Sequence, residues 1–186
     1  TDERVDRLLE IGAVCNNATP EEGDPTEQAL LDAAERRYDL AELREERPRR
    51  DELAFSSERK RMATIHDDVV FVKGAPDELL QRSTRLLSTD GPVELTEDTR
   101  DRIRSQVATF ADDALRVLGF AYKSRAGAGD PEEDLIFVGL QGLLDPPRGE
   151  VKAAIADTQR AGIGVKVITG DNPTTARAVG AQVGVE

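Results

Sequence analysis

Val69-Val70-Phe71-Val72-Lys73-Gly74-Ala75-Pro76-Asp77-Glu78-Leu79-Leu80, VVFVKGAPDELL, runs apolar, stops at a lysine and a glycine, and restarts after a proline. Val69–Lys73 is strand-sized, and Pro76–Arg82 reads as a helix with proline at its first position. Strand alternation puts Val69, Phe71 and Lys73 on one face. A lysine on a packed face is costly when buried without a partner. Two readings stay open: Lys73 snorkels to the sheet edge, or it serves a site. Gly74 allows close backbone approach, and the helix start at Pro76 suits an anion or a polar ring.

Outward from this stretch, more short β-compatible runs appear at Leu53–Phe55, Met62–His66, Arg85–Ser88, Val117–Lys123 and Leu135–Leu140. Asp67-Asp68 is a tight link, and Thr89-Asp90-Gly91-Pro92 is a turn. Helices are expected over Arg4–Val14, from Asp24-Pro25 through Ala34, and from Thr96 or Glu97 to Leu115. The last carries Ile103, Val107, Phe110 and Ala114 on one stripe. Residues 38–50 are charge-dense and read as a short helix with a solvated loop. Strands joined by short links with helices interspersed give an α+β fold: an antiparallel sheet flanked by helices.

The pattern changes at Asp145-Pro146-Pro147-Arg148, where two prolines forbid a continuing central strand. Beyond lie a helix over Glu150–Ala161, an apolar strand Val165–Ile168, Thr169-Gly170-Asp171, and a helix opened by Pro173. This is one α-β-α piece of a parallel, Rossmann-like sheet, so the domains divide as 1–144 and 145–186. The strand Val165–Ile168 lacks parallel neighbours and is expected to pack abnormally, be mobile, or pair with another copy.

Composition narrows the chemistry. The 186 residues carry 25 Lys and Arg against 37 Asp and Glu, a formal net charge of −12. That balance speaks against nucleic acid as a partner, which needs a clustered positive field. A phosphate-bearing ligand must be met by a few local cations. One cysteine, Cys15, excludes an internal disulfide and reads as a packing residue; with one histidine, His66, no metal site is expected. No apolar run approaches the length of a membrane span.

Several side chains are candidates for a site, each with a plainer reading. Asp24-x-x-Glu27 matches a capping box, in which Glu27 folds back to its own helix start, and spacing alone favours that role. Phe55 leads into the basic turn Ser56-Ser57-Glu58-Arg59-Lys60-Arg61, either as an aromatic platform with Lys60 steering phosphates or as a core residue before a solvated loop. Thr169-Gly170-Asp171 follows an apolar strand and precedes a helix, where open α/β sheets bind ligands.

Together CNNAT, GDPTEQALL, FSSERKRM, FVKGAPDELL, DDALRVLGFAYK, LIFVGLQGLLDPPRGEV and VKVITGDNPTTARAVG resemble the cytoplasmic part of P-type cation-transporting ATPases, type II and calcium-pump-like. The resemblance spans nearly the whole chain. It implies a nucleotide-binding domain over 1–144, then a hinge and part of the phosphorylation domain. It implies ATP or ADP as ligand, with Phe55 stacking on adenine, and with Lys73 and Gly74 lining the pocket. Glu27 then accepts from the adenine amine, Lys60 belongs to the same pocket, and Arg116 lies near the phosphates. Asp145 and Arg148 fall in the hinge, and Thr169, Gly170 and Asp171 meet the terminal phosphate in the closed pump. The intact pump uses Mg-ATP, forms an aspartyl-phosphate and moves an ion, with calcium expected ahead of sodium, proton or magnesium. Its partners are the remaining phosphorylation, actuator and transmembrane domains of an integral membrane protein. Ser57 stands where calcium pumps often carry arginine. Neither the DKTGT phosphorylation motif nor GDGxND occurs in these residues, so they are expected to bind nucleotide without turning it over. A phosphatase-type hydrolase and a non-catalytic interaction module are the alternatives; the first lacks a suitably placed nucleophilic aspartate.

Overall fold

The computed structural model describes residues 2–124, 129–144, 149–168 and 173–185. The chain divides into two compact units, Thr1–Arg104 with Leu118–Gln141, and Ser105–Val117 with Gly142–Glu186. Helices α1 (Glu3–Val14), α2 (Pro25–Glu35) and α3 (Leu40–Glu46) come first. Each is started by an aspartate, Asp2, Asp24 or Asp39, whose carboxylate accepts from amides of the first turn. Strands β1 (Asp51–Leu53), β2 (Arg61–Ile65) and β3 (Val69–Gly74) follow, then α4 (Pro76–Arg82), β4 (Ser83–Ser88) and β5 (Gly91–Glu94). Helix α5 (Glu97–Asp112) and strands β6 (Leu115–Ser124) and β7 (Leu135–Leu144) each have residues in both units. Helices α6 (Gly149–Arg160) and α7 (Pro173–Val183) complete the second.

The seven strands form one sheet in the order β1-β2-β3-β6-β7-β4-β5. Pairing is antiparallel at β1–β2, β2–β3, β3–β6 and β4–β5, and parallel at β4–β7. This is the expected α+β sheet flanked by helices, with one parallel pair added. Strand β5 was not anticipated because Pro92 argues against a strand; it sits at the sheet edge, where a missing amide is tolerated. The expected strand Val165–Ile168 is not one: residues 163–168 join no ladder, and Ile168 is 95% exposed. A parallel strand needs hydrogen-bonding neighbours, and none pairs with this segment among the described residues.

All six residues of β3 are buried, because helices cover both of its faces. Val70 and Val72 face one layer with Ala63, Ala121, Leu135 and Phe137, closed by Leu79 and Leu80 of α4 and by Leu95. The opposite face carries Phe71 and Lys73, whose strand neighbours are Met62, Thr64, Phe120 and Tyr122. Helix α1 covers that face, and the Cys15 Sγ lies 3.7 Å from the Met62 carbonyl oxygen. Gly12 sits where a Cβ would be 3.7 Å from Leu30 and 3.8 Å from Phe120, so α1 approaches both α2 and the sheet closely.

His66 is buried at the end of β2 on this second face. Its Nδ1 lies 3.0 Å from the Arg47 carbonyl and 3.2 Å from that of Pro48, and its Nε2 is 3.0 Å from the Thr64 hydroxyl. Carbonyls only accept, so Nδ1 carries the proton and Nε2 accepts from Thr64 in the neutral ring. Burial pushes the imidazole pKa below its ordinary value.

Two outcomes are expected from this packing. A Cβ on Gly74 would lie 2.5 Å from the Lys60 carbonyl oxygen and 2.7 Å from the Arg61 Cα, backbone that cannot step aside. Gly74→Ala therefore destabilises by about 2 kcal/mol or more in urea unfolding; an unchanged midpoint would contradict the packing. The second concerns pH. With the folded pKa of His66 depressed, the unfolded chain takes up the proton first as pH falls below about 6.5, so stability declines from there downward. His66→Gln should flatten the stability profile between about pH 6.5 and 5, read by thermal melts across that range.

Candidate functional site

Lys73 does not snorkel to the sheet edge, and its ammonium does not stay near solvent. It is 7% exposed, and its Nζ donates to Glu27 Oε1 at 2.6 Å. Glu27 lies in the first turn of α2, so the pair joins the sheet to the helical layer over it. The other carboxylate oxygen, Oε2, accepts from the Asn17 amide at 3.1 Å. Asp24 caps α2 by accepting from the amides of Thr26 and Glu27. Glu27 thus has a tertiary role that its capping-box spacing does not show. A carboxylate offers about four lone-pair directions, and these two donors leave room for more.

The seam around the pair is polar and built from neighbouring residues. Buried Asn16 donates from Nδ2 to the Gly12 and Glu27 carbonyls, each at 2.9 Å, and its Oδ1 accepts from the Ala18 amide. It ties the end of α1 to the start of α2. Asn17 donates from Nδ2 to Glu52 at 2.9 Å. Neither asparagine was assigned a role from sequence. The available signal was two adjacent amides directly after an apolar helical run, where orphan helix carbonyls need donors.

The same end of the sheet carries the other first-unit candidates. Leu53 of β1 pairs with Ala63 and that with Val72, so the chain leaves β1, enters β2 and leaves β3 at one end. Phe55 lies in the β1–β2 link and is 60% exposed, neither core nor part of a ring–ring contact among the described residues. The link is held by Arg59, whose Nη1 donates to the Ala54 carbonyl at 2.7 Å and whose amide donates to Ser56 Oγ at 3.1 Å. Lys60 is exposed with φ of 53°, and its carbonyl accepts from the Ala75 amide at 2.9 Å. Gly74 faces Arg61 and Gly119 across the ladders. Its missing side chain is thus required first by the neighbouring strand.

The basic turn is less available than its composition suggests. Arg61 is buried, 2.8 Å from Glu132, and Arg59 bonds the other oxygen of the same carboxylate. An anion at the start of α4 is also poorly supported: the helix has seven residues, its cap has no side-chain bond, and Asp77 and Glu78 occupy its first turn. Arg116 is exposed on the part of β6 that belongs to the second unit. Asp145, Arg148, Thr169, Gly170 and Asp171 lie outside the described residues. Among the described residues no helix is long and apolar enough to cross a membrane.

Residues 4–150 match the family described as P-type ATPase, cytoplasmic domain N. The chain belongs to that family. Its relatives include the cation-transporting ATPase pma1 of Synechocystis, 39% identical over 199 residues, which cover 97% of this chain and 22% of that protein. Calcium-transporting ATPase 1 of Bacillus cereus is 41% identical over 194 residues, covering 96% of the chain and 22% of the relative. Calcium-transporting ATPase type 2C member 1 of Homo sapiens is 34% identical over 193 residues, 97% of the chain and 20% of the relative. The chain thus spans about a fifth of the length of these relatives.

The buried pair sets a stability test. Glu27→Ala leaves the Lys73 ammonium under the helical layer without its carboxylate and should cost about 3 kcal/mol. Lys73→Met leaves a partly exposed carboxylate that keeps the Asn17 amide, and should cost less. Chemical denaturation followed by circular dichroism measures both. A loss for Glu27→Ala below about 1 kcal/mol, the range of surface pairs, contradicts the burial argument.

Proposed function

We propose that this chain is the nucleotide-binding part of a cation-transporting ATPase, with ATP or ADP held at the end of the sheet that carries the Lys73–Glu27 pair and the link bearing Phe55. The observation that carries the reading is the buried Lys73–Glu27 pair, at 2.6 Å, placed at the strand ends that flank an exposed Phe55. A purine suits these residues. It has a face for the exposed Phe55 ring and an exocyclic amine for a carboxylate with unused lone pairs. Gly74 lines that edge on the resemblance, and Lys60 is an exposed cation for the phosphates.

The remaining roles rest on the resemblance alone. Arg116 meets the phosphates; Asp145 and Arg148 form the hinge at a 144/145 domain boundary; Thr169, Gly170 and Asp171 approach the terminal phosphate. Mg²⁺ accompanies the nucleotide and supplies charge neutralisation during phosphoryl transfer. In the whole pump, other segments provide the phosphorylated aspartate, the actuator and the membrane helices, and calcium is the proposed cargo from the names of the relatives. The residues here contain no such aspartate motif, so they bind nucleotide without hydrolysing it.

Isothermal titration of the chain with Mg-ATP should give a Kd on the order of 0.1–1 mM, as expected of an open, partly polar site. Phe55→Ala removes a stacking surface without touching the buried pair and should weaken binding roughly tenfold. Lys60→Ala should weaken ATP more than adenosine. Absence of heat or of any spectral shift at millimolar ATP overturns the proposal.

A further inference from the structure

A cavity of about 250 Å³ is lined by Val14, Asn16, Asn17, Ala18, Thr19 and His66 together with three arginines, Arg44, Arg47 and Arg49. In a chain with 37 acidic residues against 25 basic ones, this lining holds three positive charges and no carboxylate. Much of that charge has a structural use. Helix α1 has no basic residue in its own last turn, and its end is served from a distance. Arg49 Nη2 donates to the Val14 carbonyl at 3.1 Å and the Asn16 carbonyl at 2.6 Å, while Nη1 pairs with Glu52 at 2.8 Å. Arg47 is paired with Glu10 at 2.9 Å and Asp68 at 3.0 Å. Those two guanidiniums are accounted for.

Arg44 is different. Its only hydrogen bonds among the described residues use a single nitrogen, Nη2, toward the carbonyls of Ala18 at 2.9 Å and Ala13 at 3.5 Å. No carboxylate there lies within ion-pair distance of it, and its Nε and Nη1 donors stay uncommitted. Burial first, and then the charge of Arg49, lower its pKa from the ordinary arginine value, and Glu27 offsets them only in part. A guanidinium held half out of water beside other cations is stabilised by any anion that reaches it, and its planar fork matches a tetrahedral or planar oxyanion. Asn17 and Thr19 add neutral polar groups around the same space.

We propose that the Arg44–Arg47–Arg49 cavity binds a small oxyanion of the phosphate class, at a site separate from the Lys73–Glu27 pair. Asn17 touches both places: its Oδ1 accepts from Arg49 and its backbone amide donates to Glu27 at 3.1 Å. The inference stands whether or not a purine binds near Lys73. The phosphate group has two sources, free orthophosphate or the tail of a nucleotide, and the experiment separates them.

The unsubstituted chain, isotopically labelled, is titrated with inorganic phosphate at constant ionic strength balanced with chloride, while amide resonances are followed. Saturable shifts are expected at residues 16–19 and 44–49. Arg44→Gln should weaken them roughly tenfold, the loss of a charge-assisted bidentate contact. Arg44→Lys keeps the charge without the fork and should fall between. Arg102→Gln, which removes an exposed arginine of α5 outside both places, should leave the phosphate titration intact. Absence of saturation in the unsubstituted chain overturns the proposal without any variant, so a poorly folding Arg44→Gln does not shield it. Equal affinity in Arg44→Gln, or an equal weakening in Arg102→Gln, overturns it as well. ATP and adenosine form the last arm: if Arg44→Gln weakens ATP as much as phosphate but spares adenosine, the oxyanion is the nucleotide's own tail and the separate site is refuted.

Discussion

An ammonium and a carboxylate lying between a sheet and the helices above it impose a strict condition on this fold. Removing either ion from water is expensive, and their mutual attraction compensates only when geometry is close and remaining valences are filled. Lys73 and Glu27 meet that condition at 2.6 Å, with the Asn17 amide on the second carboxylate oxygen. One partner comes from the end of β3 and the other from the first turn of α2, 46 residues apart in sequence. The pair therefore fixes where α2 starts relative to the strand. Ile11, Leu30, Phe71 and Phe120 around it are fully buried, but apolar contact alone is non-directional and tolerates sliding. A polar seam within it does not. Asn16 extends the same constraint to α1 by donating to carbonyls of both helices.

That arrangement also explains a lysine at a strand end in a strongly acidic chain. Paired with Glu27, it contributes almost no net charge to its surroundings, so it does not serve as a long-range attractor for phosphates. Under the proposed reading, recognition at this end comes from ring stacking, carboxylate acceptance and shape, with Lys60 as the exposed cation. The arginine cavity is electrostatically the reverse. Its lining carries charge without carboxylates, and only part of that charge is cancelled by residues behind the wall. One region suits a flat, largely neutral base; the other suits a compact anion.

Much of the fold was legible because local chemistry and the tertiary solution agree. The apolar run of β3, the Pro76 start of α4, the Asp24-Pro25 opening of α2 and the Asp67-Asp68 link all appear as read. Failures occur where a residue's local preference opposed its context. Pro92 hid β5, which survives only as an edge strand. Residues 163–168 have the composition of a strand but no pairing partner, and composition cannot supply hydrogen bonds. The charge-dense residues 38–50 read as a short helix with a solvated loop, and α3 is that helix, yet Arg44 and Arg49 reach back across 31 and 35 positions to the carbonyls ending α1. Nothing in local periodicity reports such a reach.

The candidate site shows the same limit more sharply. Glu27 was assigned to a capping box because the spacing Asp24-x-x-Glu27 is a local pattern, and local patterns are what a sequence displays. Lys73 reads either as a lysine snorkelling to the sheet edge or as a site residue, because an unpartnered lysine avoids burial. Neither local pattern shows what bears on both: the two residues are each other's partner. The family resemblance placed them near one pocket, but it could not say that they neutralise each other there. A buried charge in a sequence is thus a question about a second residue elsewhere. Arg44 is only half-buried, but the described residues give it carbonyls and no carboxylate within ion-pair distance, so the same reasoning looks beyond the chain for an anion.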